Sequence, residues 1–306
     1  MKSCAQKITG NYYFPSTALP LALKQVYGKS ISHPYDYTSV AHYHDFAELV
    51  IITGGSGRQM IANREYPVQT GDVFVIIDDT VHSFPDYNAL KITNIMFDRK
   101  LLEPYENLLA RIPGYQILFC LEPELRRNNC EFRHKLHLSP NNITLVNKQL
   151  QRMGKELSCQ QPGFEAAVIT AFLELVIMLS RSLDEHSEEP DGLLRLGKLL
   201  SALSTHPADE WDLSKMAKLC SMSINTLLRH FKQSMNLSPM QYLTQLRLEQ
   251  ACNQLLNTDK SISEIALSCG FHDSNYFAKK FRAVYGASAS SYRKQTPHSK
   301  KAFSIR

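Results

Sequence analysis

The chain has 306 residues, of which 43% are hydrophobic and 21% charged, with a formal net charge of +5. That length accommodates two domains with cores of their own, and the composition is that of an ordinary soluble protein. No apolar run is read as approaching the roughly 20 residues of a membrane span, and the N-terminus lacks a signal-peptide pattern, so membrane insertion and secretion are excluded as expectations. Seven cysteines, odd in number, scattered and without a C-x-x-C pair, fit reduced thiols in the cytoplasm.

The first hundred residues read as β structure. Leu49-Val-Ile-Ile52 leads into Gly54-Gly-Ser-Gly57, Arg58 to Ala62 into Asn63-Arg-Glu65, Tyr66 to Val68 into Thr70-Gly-Asp72, and Val73 to Ile77 into Asp78-Asp79, with a further strand from Leu90 to Phe97. Short strands between Gly, Asn and Asp turns at regular spacing predict a sandwich or small barrel. Within it, His42-x-His44-x-x-x-Glu48, Gly71-Asp72 and His82 are similar to the two motifs of the cupin barrel. Ile77 and Asp79 stand where that pattern has Pro and Gly. Residues two apart on a strand face one side, and imidazoles with a carboxylate suit a divalent metal. Three readings stay open for His42, His44, Glu48 and His82. They are a metal-dependent enzyme, an effector pocket with or without a metal, or a remnant whose polar groups satisfy one another. Nearby Tyr43, Phe46, Phe74 and Phe84 either stack on a ligand ring or fill the core.

A mixed stretch from Leu101 to His137 precedes two helices. In the first, Ile143, Val146, Leu150, Met153 and Leu157 are spaced three, four, three and four, the stripe of a coiled-coil seam or of a helix covering the barrel. The second, Phe164 to Leu179, is apolar nearly all round and implies burial on several sides. Residues 183–191, acidic and polar, form the expected linker, and Leu193 to Leu203 begins a second domain.

From Asp212 to Arg293 the chain writes one helix-turn-helix twice. Ser223 and Asp273, Leu227 and Phe277, Arg229 and Lys279, and Phe231 and Phe281 lie fifty residues apart, whereas Met216 and Ile265, and Ala217 and Ala266, lie forty-nine apart. One extra residue in the second turn accounts for the slip. Asp212, Ser223, Ser261 and Asp273 cap the four helices, Ser261 with Glu264 as a capping box. Small Ala217 and Ala266 let each helix pair cross closely. Between the copies, Ser238-Pro-Met-Gln241 starts a connector helix to about Leu256, about 27 Å long at 1.5 Å per residue, against about 34 Å between successive major-groove entries. Residues 191–306 carry 16 Lys and Arg against 8 Asp and Glu, a balance of +8, and residues 1–190 carry 18 against 21, a balance of −3. The basic excess lies with the repeat, as phosphate neutralisation requires.

On Ile265-Ala266, Cys269-Gly-Phe271, Ser274-Asn-Tyr-Phe277, Phe281-Arg282 and Tyr292-Arg293, with Ser223, Leu227, Arg229-His-Phe231-Lys232 and Leu237-Ser-Pro239 in the first copy, the last third of the chain resembles the AraC/XylS family of bacterial transcription regulators. Asn236 replaces the family's glycine after the first recognition helix, and Ser288-Ala289 its Ser-Pro before the last helix. The N-terminal part is more loosely similar to rhamnose-type and related sugar-catabolism regulators. The resemblance implies an α+β chain with several domains. A cupin-like sensing barrel spans 1–140, a helical dimerisation segment 141–182, a linker 183–191, and an all-α DNA-binding domain 192–306. It implies a regulator of carbohydrate-utilisation genes, not an enzyme, that binds double-stranded DNA and a sugar-like effector, forms a homodimer and works with RNA polymerase. It requires no cofactor; a divalent metal at the histidines is the exception left open.

Facing opposite the core residues Leu227 and Phe231 are Asn225, Thr226, Leu228, Arg229 and Lys232. Asn suits adenine and Arg suits guanine in the major groove, and the resemblance places Asn225, Leu228 and Arg229 on base-reading positions. In the second copy Ser274, Asn275 and Lys279 face outward, with Lys280 and Arg282 suited to the DNA backbone.

Overall fold

The computed structural model describes residues 5–14, 19–27, 39–62, 64–86, 89–127, 136–185 and 192–295. The chain divides into two compact units, Met1–Gly197 and Lys198–Arg306.

Among the described residues the first unit holds ten strands: β1 (Gln6–Ile8), β2 (Leu21–Tyr27), β3 (His42–His44), β4 (Ala47–Gly54), β5 (Ser56–Ile61), β6 (Arg64–Gln69), β7 (Asp72–Ile76), β8 (His82–Ser83), β9 (Lys91–Phe97) and β10 (Leu136–His137). They form two five-stranded sheets in the orders β1-β3-β8-β5-β6 and β10-β7-β4-β9-β2. The strands read from Leu49, Arg58, Tyr66, Val73 and Leu90 are all present. Apart from Glu48, residues 47–52 of β4 are apolar without alternation because that stretch is buried on both faces. Val50 and Ile52 pack between the sheets with Val68, Phe74 and Phe84, while Leu49 and Ile51 face outward into a second core built by helices. Gly55 turns β4 into β5 at φ +79°, where a Cβ would lie 1.7 Å from the Ala89 carbonyl oxygen, so no larger residue fits.

Short helices α1 (Gly10–Tyr13), α2 (Glu106–Leu109), α3 (Pro113–Tyr115) and α4 (Glu122–Arg127) accompany the barrel, with a π-helical segment at Gln116–Leu121. Two long helices, α5 (Pro140–Cys159) and α6 (Phe164–Glu185), then pack on the outer sheet face. Val146, Leu150 and Met153 are fully buried there, and Ile143 and Leu157 pack against the same core. Of the two readings of this stripe, the structure shows the helix covering the barrel: its apolar face packs on the chain's own sheet and α6, since heptad-like spacing specifies an apolar face, not the partner that covers it. Residues 183–185 continue α6 instead of opening the linker, and 186–191 lie outside the described residues. Contrary to expectation, one segment among the described residues, Phe164–Leu183, is long and apolar enough to cross a membrane, with a mean hydropathy of 1.8. Val168, Phe172, Leu175 and Leu179 are wholly buried in the protein core, and Ile169, Leu173, Ile177 and Met178 pack half-buried against it, as in a core helix of a folded domain.

Helix α7 (Gly192–Thr205) contains the division between the units. The second unit continues with α8 (Leu213–Leu219), α9 (Ile224–Met235), α10 (Pro239–Asn257), α11 (Ile262–Ser268), α12 (Ser274–Tyr285) and α13 (Ala289–Gln295). All expected caps are made: Asp212, Ser223, Ser261 and Asp273 accept backbone N–H groups of the first turns they precede, and Ser238 with Gln241, like Ser261 with Glu264, closes a reciprocal capping box. The two turns superpose chemically. Met222 N–H donates to the Ala217 carbonyl and Phe271 N–H to the Ala266 carbonyl, both at 3.0 Å. Ser221 (φ +50°) takes the left-handed place that Gly270 (φ +85°) takes in the second copy. Asn236 ends α9 at φ +55°, tolerating the conformation for which glycine is usual. Ser288 still caps α13 by accepting from Ser291 N–H at 3.1 Å, which offsets the absent proline.

Candidate effector site and DNA-reading helices

β3 and β8 lie side by side, with His42 opposite His82, and both expose their histidines to the gap that β4 closes from the other sheet. His42, His44, Glu48 and His82 are all buried. Glu48 Oε2 lies 3.4 Å from His44 Nε2 and 3.2 Å from His82 Nε2, so the cluster bridges the two sheets. His42 joins through its ring, 4.2 Å from that of His82 between centroids.

The orientation of these rings is fixed from behind. Nδ1 of His42 contacts the Val40 carbonyl at 2.8 Å, Nδ1 of His44 the Phe46 carbonyl at 2.7 Å, and Nδ1 of His82 the Thr80 carbonyl at 2.9 Å. A carbonyl only accepts, so each Nδ1 carries the proton and each Nε2 is turned to the interior. Toward Glu48, such an Nε2 either bears a second proton and donates to the carboxylate, or bears a lone pair and requires a donor or cation beside it. Burial, aided by the neighbouring His82, pulls His42 from 6.5 down to about 3, so this ring is neutral. Burial pushes Glu48 upward, but bonding to His44 and His82 outweighs it and holds the carboxyl well below its ordinary range.

A metal ion fits this donor set. Ligand atoms of His44, Glu48 and His82 lie within 4.8 Å of one another, and backbone carbonyls behind the rings are the supports that metal-binding histidines use.

Two further polar residues share the inward faces, and the sequence reading passed over both. Gln59 alternates with Arg58 and Met60 on β5 and is fully buried, and Asn94, paired with Val50 on β9, is buried; among the described residues neither amide atom of Gln59 and not Asn94 Oδ1 has a hydrogen-bond partner. Their one signal in the sequence is a polar side chain at an inward strand position. Of the four aromatics considered, Phe74 and Phe84 belong to the core between the sheets. Phe46 stacks on the His44 ring at 4.2 Å, and Tyr43 alternates away from the two histidines of β3.

On α9, Leu227 and Phe231 are fully buried. Asn225, Arg229 and Lys232 are exposed, and Thr226 and Leu228 half-buried. Two of these have local duties: Thr226 Oγ1 lies 2.8 Å from Ser223 Oγ at the cap, and Lys232 Nζ donates to the Asn236 carbonyl at 3.0 Å. On α12, Phe277 and Phe281 are buried, while Ser274, Asn275, Lys279 and Arg282 are exposed. Tyr276, which the sequence reading did not single out, is 47% exposed beside them, with Lys280 Nζ 5.4 Å from its ring. Connector α10, of 19 residues, spans about 28 Å.

Residues 24–128 match the family model described as AraC-like ligand binding domain, and residues 216–295 the one described as helix-turn-helix domain. The HTH-type transcriptional activator RhaR of Mannheimia succiniciproducens is 27% identical over 291 residues, covering 94% of this chain and 96% of the relative. The HTH-type transcriptional activator RhaS of Enterobacter sp. strain 638 is 30% identical over 250 residues, covering 80% and 84%. Among solved structures, the DNA-binding domain of AdpA in complex with a target DNA is 27% identical, with a TM-score of 0.34 over 36% of this chain and 98% of that one.

Proposed function

We propose, on the premise that the chain belongs to the AraC family of DNA-binding transcription regulators and is not an enzyme, that its barrel binds a neutral, sugar-like effector at His42, His44, Glu48 and His82. The observation that carries this reading is the polar interior: three Nε2 atoms held inward, a carboxylate, and Gln59 Nε2 and Oε1 and Asn94 Oδ1, which have no hydrogen-bond partner among the described residues. Buried polar atoms without partners are costly, and hydroxyl groups donate to such oxygens while accepting from the Gln59 amide. An acidic or phosphorylated sugar would set its charge against Glu48. In this reading residues 1–140 sense, 141–182 contribute to a homodimer, 183–191 link, and 192–306 read DNA. Asn225, Thr226, Leu228 and Arg229 address bases, Lys232, Ser274, Asn275, Lys279 and Arg282 address bases or phosphates, and RNA polymerase is recruited at carbohydrate-utilisation promoters in the cytoplasm. Effector binding acts to the extent that it favours one arrangement of the chain over another.

A thermal-shift screen of the full chain against neutral monosaccharides, uronic acids and sugar phosphates tests the effector, since binding to the native state raises the melting temperature. A neutral sugar is expected to give a shift that disappears in Glu48→Gln and Gln59→Leu. Shifts from the anionic compounds alone refute the reading. A divalent ion at His44, Glu48 and His82 is the second reading, favoured by the carbonyl-anchored rings; stoichiometric metal in the purified protein, lost in His82→Ala, decides for it.

A further inference from the structure

The left-handed place in the helix-turn-helix turn is filled differently in the two copies, and backbone conformation alone does not account for it. Ser221 adopts it at φ +50° as an exposed residue, so a Cβ is tolerated there. At Gly270 a Cβ would lie 2.8 Å from the Ala208 carbonyl oxygen, 2.9 Å from Ala208 Cα and 2.9 Å from Arg247 Nε. Glycine is required at this turn by contact as well as by its φ of +85°. Ala208 belongs to the loop that leads into α8, so the entry loop of the first copy rests on the turn of the second.

Arg247 fastens that loop. From α10 its Nε donates to the Pro207 carbonyl at 2.7 Å and its Nη2 to the Asp209 carbonyl at 2.9 Å. One rigid guanidinium fork therefore holds the loop on both sides of Ala208. Further along the same helix, Leu248, Ala251 and Leu255 share a core with Ile265, Phe277 and Phe281 of the second copy. The connector by itself joins the two copies along a single axis. The loop adds a second attachment away from that axis, which removes the rotation a lone helix would leave open.

We propose that the contact of Ala208, Arg247 and Gly270 sets the angle between the two helix-turn-helix units, and that Arg247 and Gly270 are positioning residues for DNA binding. They act through the loop, holding α9 and α12 ready for two successive major-groove entries of one duplex, about 34 Å apart. The inference rests on the reading that α9 and α12 both meet DNA. Linked elements that engage together gain about 10²–10⁴ in affinity over either alone, and the gain is lost where geometry forbids simultaneous engagement.

The test is hydroxyl-radical footprinting of the full chain on a duplex that the wild-type chain selects from a randomised pool, with affinity and melting temperature measured alongside. Expected for the wild type are two protected patches per bound chain, about 10 base pairs apart. Arg247→Met releases the loop. The Pro207 and Asp209 carbonyls it leaves belong to residues that are not buried, so water replaces the guanidinium. This variant is expected to keep one patch, lose most of the other and bind about tenfold more weakly, a part of the linked gain, while melting close to the wild type. Gly270→Ala, which presses on the loop from the other side, is expected to show the same unequal loss. Arg247→Lys, whose single ammonium cannot reproduce the fork, shows a smaller loss of that kind and decides the matter should the other two not fold. Both patches kept at the wild-type spacing and strength in the folded variants, or both weakened in parallel with a fall in melting temperature, overturn the proposal and leave the DNA-facing reading of α9 and α12 standing. A single patch in the wild type overturns both.

Discussion

A guanidinium on the outward side of α9 offers two parallel donors in a rigid fork, the match for O6 and N7 of guanine. Arg229 is exposed there, one residue away from the half-buried Leu228. Arg229→Ala is expected to reduce discrimination between the operator and single-base variants by about 1–3 kcal/mol, measured as competition binding at fixed salt; an unchanged preference would remove Arg229 from the base-reading set. The histidine–glutamate cluster makes a prediction of a different kind. His42 titrates near 6.5 when unfolded and near 3 when folded, so between those values the unfolded chain takes up more protons. The stability it contributes is full above about pH 6.5 and falls as pH drops. Glu48, depressed from 4.5, adds a contribution present above 4.5 and lost as pH falls through its folded value. Both act in one direction. In chelator-treated protein, denaturant unfolding followed from pH 7.5 to 5 should show falling stability, His42 contributing a slope of up to about 1.4 kcal/mol per pH unit. His42→Gln should flatten that slope.

Ala217 and Ala266 are 4% and 2% exposed where each short helix meets its recognition helix, and each supplies the carbonyl that closes the following turn. Ala266→Leu is therefore expected to cost about 1–3 kcal/mol by overpacking and to weaken DNA binding with it, whereas Leu267→Ala, on the exposed side of α11, should leave thermal stability nearly unchanged. The repeat was legible because its determinants are local: Ser223, Ser261 and Asp273 cap within three residues, and the phased Leu227, Phe231, Phe277 and Phe281 need no distant partner to declare a face. Much of the barrel was legible for the same reason, through turns at Gly55 and Gly71 and through His42, His44 and Glu48 at fixed spacing. What escaped depends on tertiary contact. The stripe from Ile143 to Leu157 declares an apolar side but not whether another chain or the barrel covers it. The composition of Phe164–Leu183 serves a buried helix and a membrane span alike. Gln59 and Asn94 become part of the candidate site only once their strands are folded with both amides inward, and β2 (Leu21–Tyr27) is recognisable chiefly by its pairing along the whole of β9.

Across the whole molecule the charge is divided unevenly, with +8 on residues 191–306 and −3 on residues 1–190. Phosphate contacts release counterions, so each one adds about 0.9 to the slope of log affinity against log salt. Exposed Lys279 and Arg282 on α12 are candidates for such contacts. Lys232 has a competing duty, because its ammonium already holds the Asn236 carbonyl at the end of α9. This separates three substitutions that sequence alone would treat alike. Lys279→Ala in the full chain should lower affinity for every DNA sequence by a similar factor and reduce the salt slope by about 0.9, and Arg282→Ala should do the same. Lys232→Ala should reduce the slope by less while lowering the melting temperature of the DNA-binding unit, since it removes a helix C-terminal contact as well as a charge. Fluorescence-anisotropy titrations over a salt series, on operator and scrambled duplexes, give slope and discrimination together. A full 0.9 drop for Lys232→Ala with no thermal effect would show that its cap bond yields to phosphate, whereas a changed base preference in Lys279→Ala would make α12 a second reader instead of an anchor.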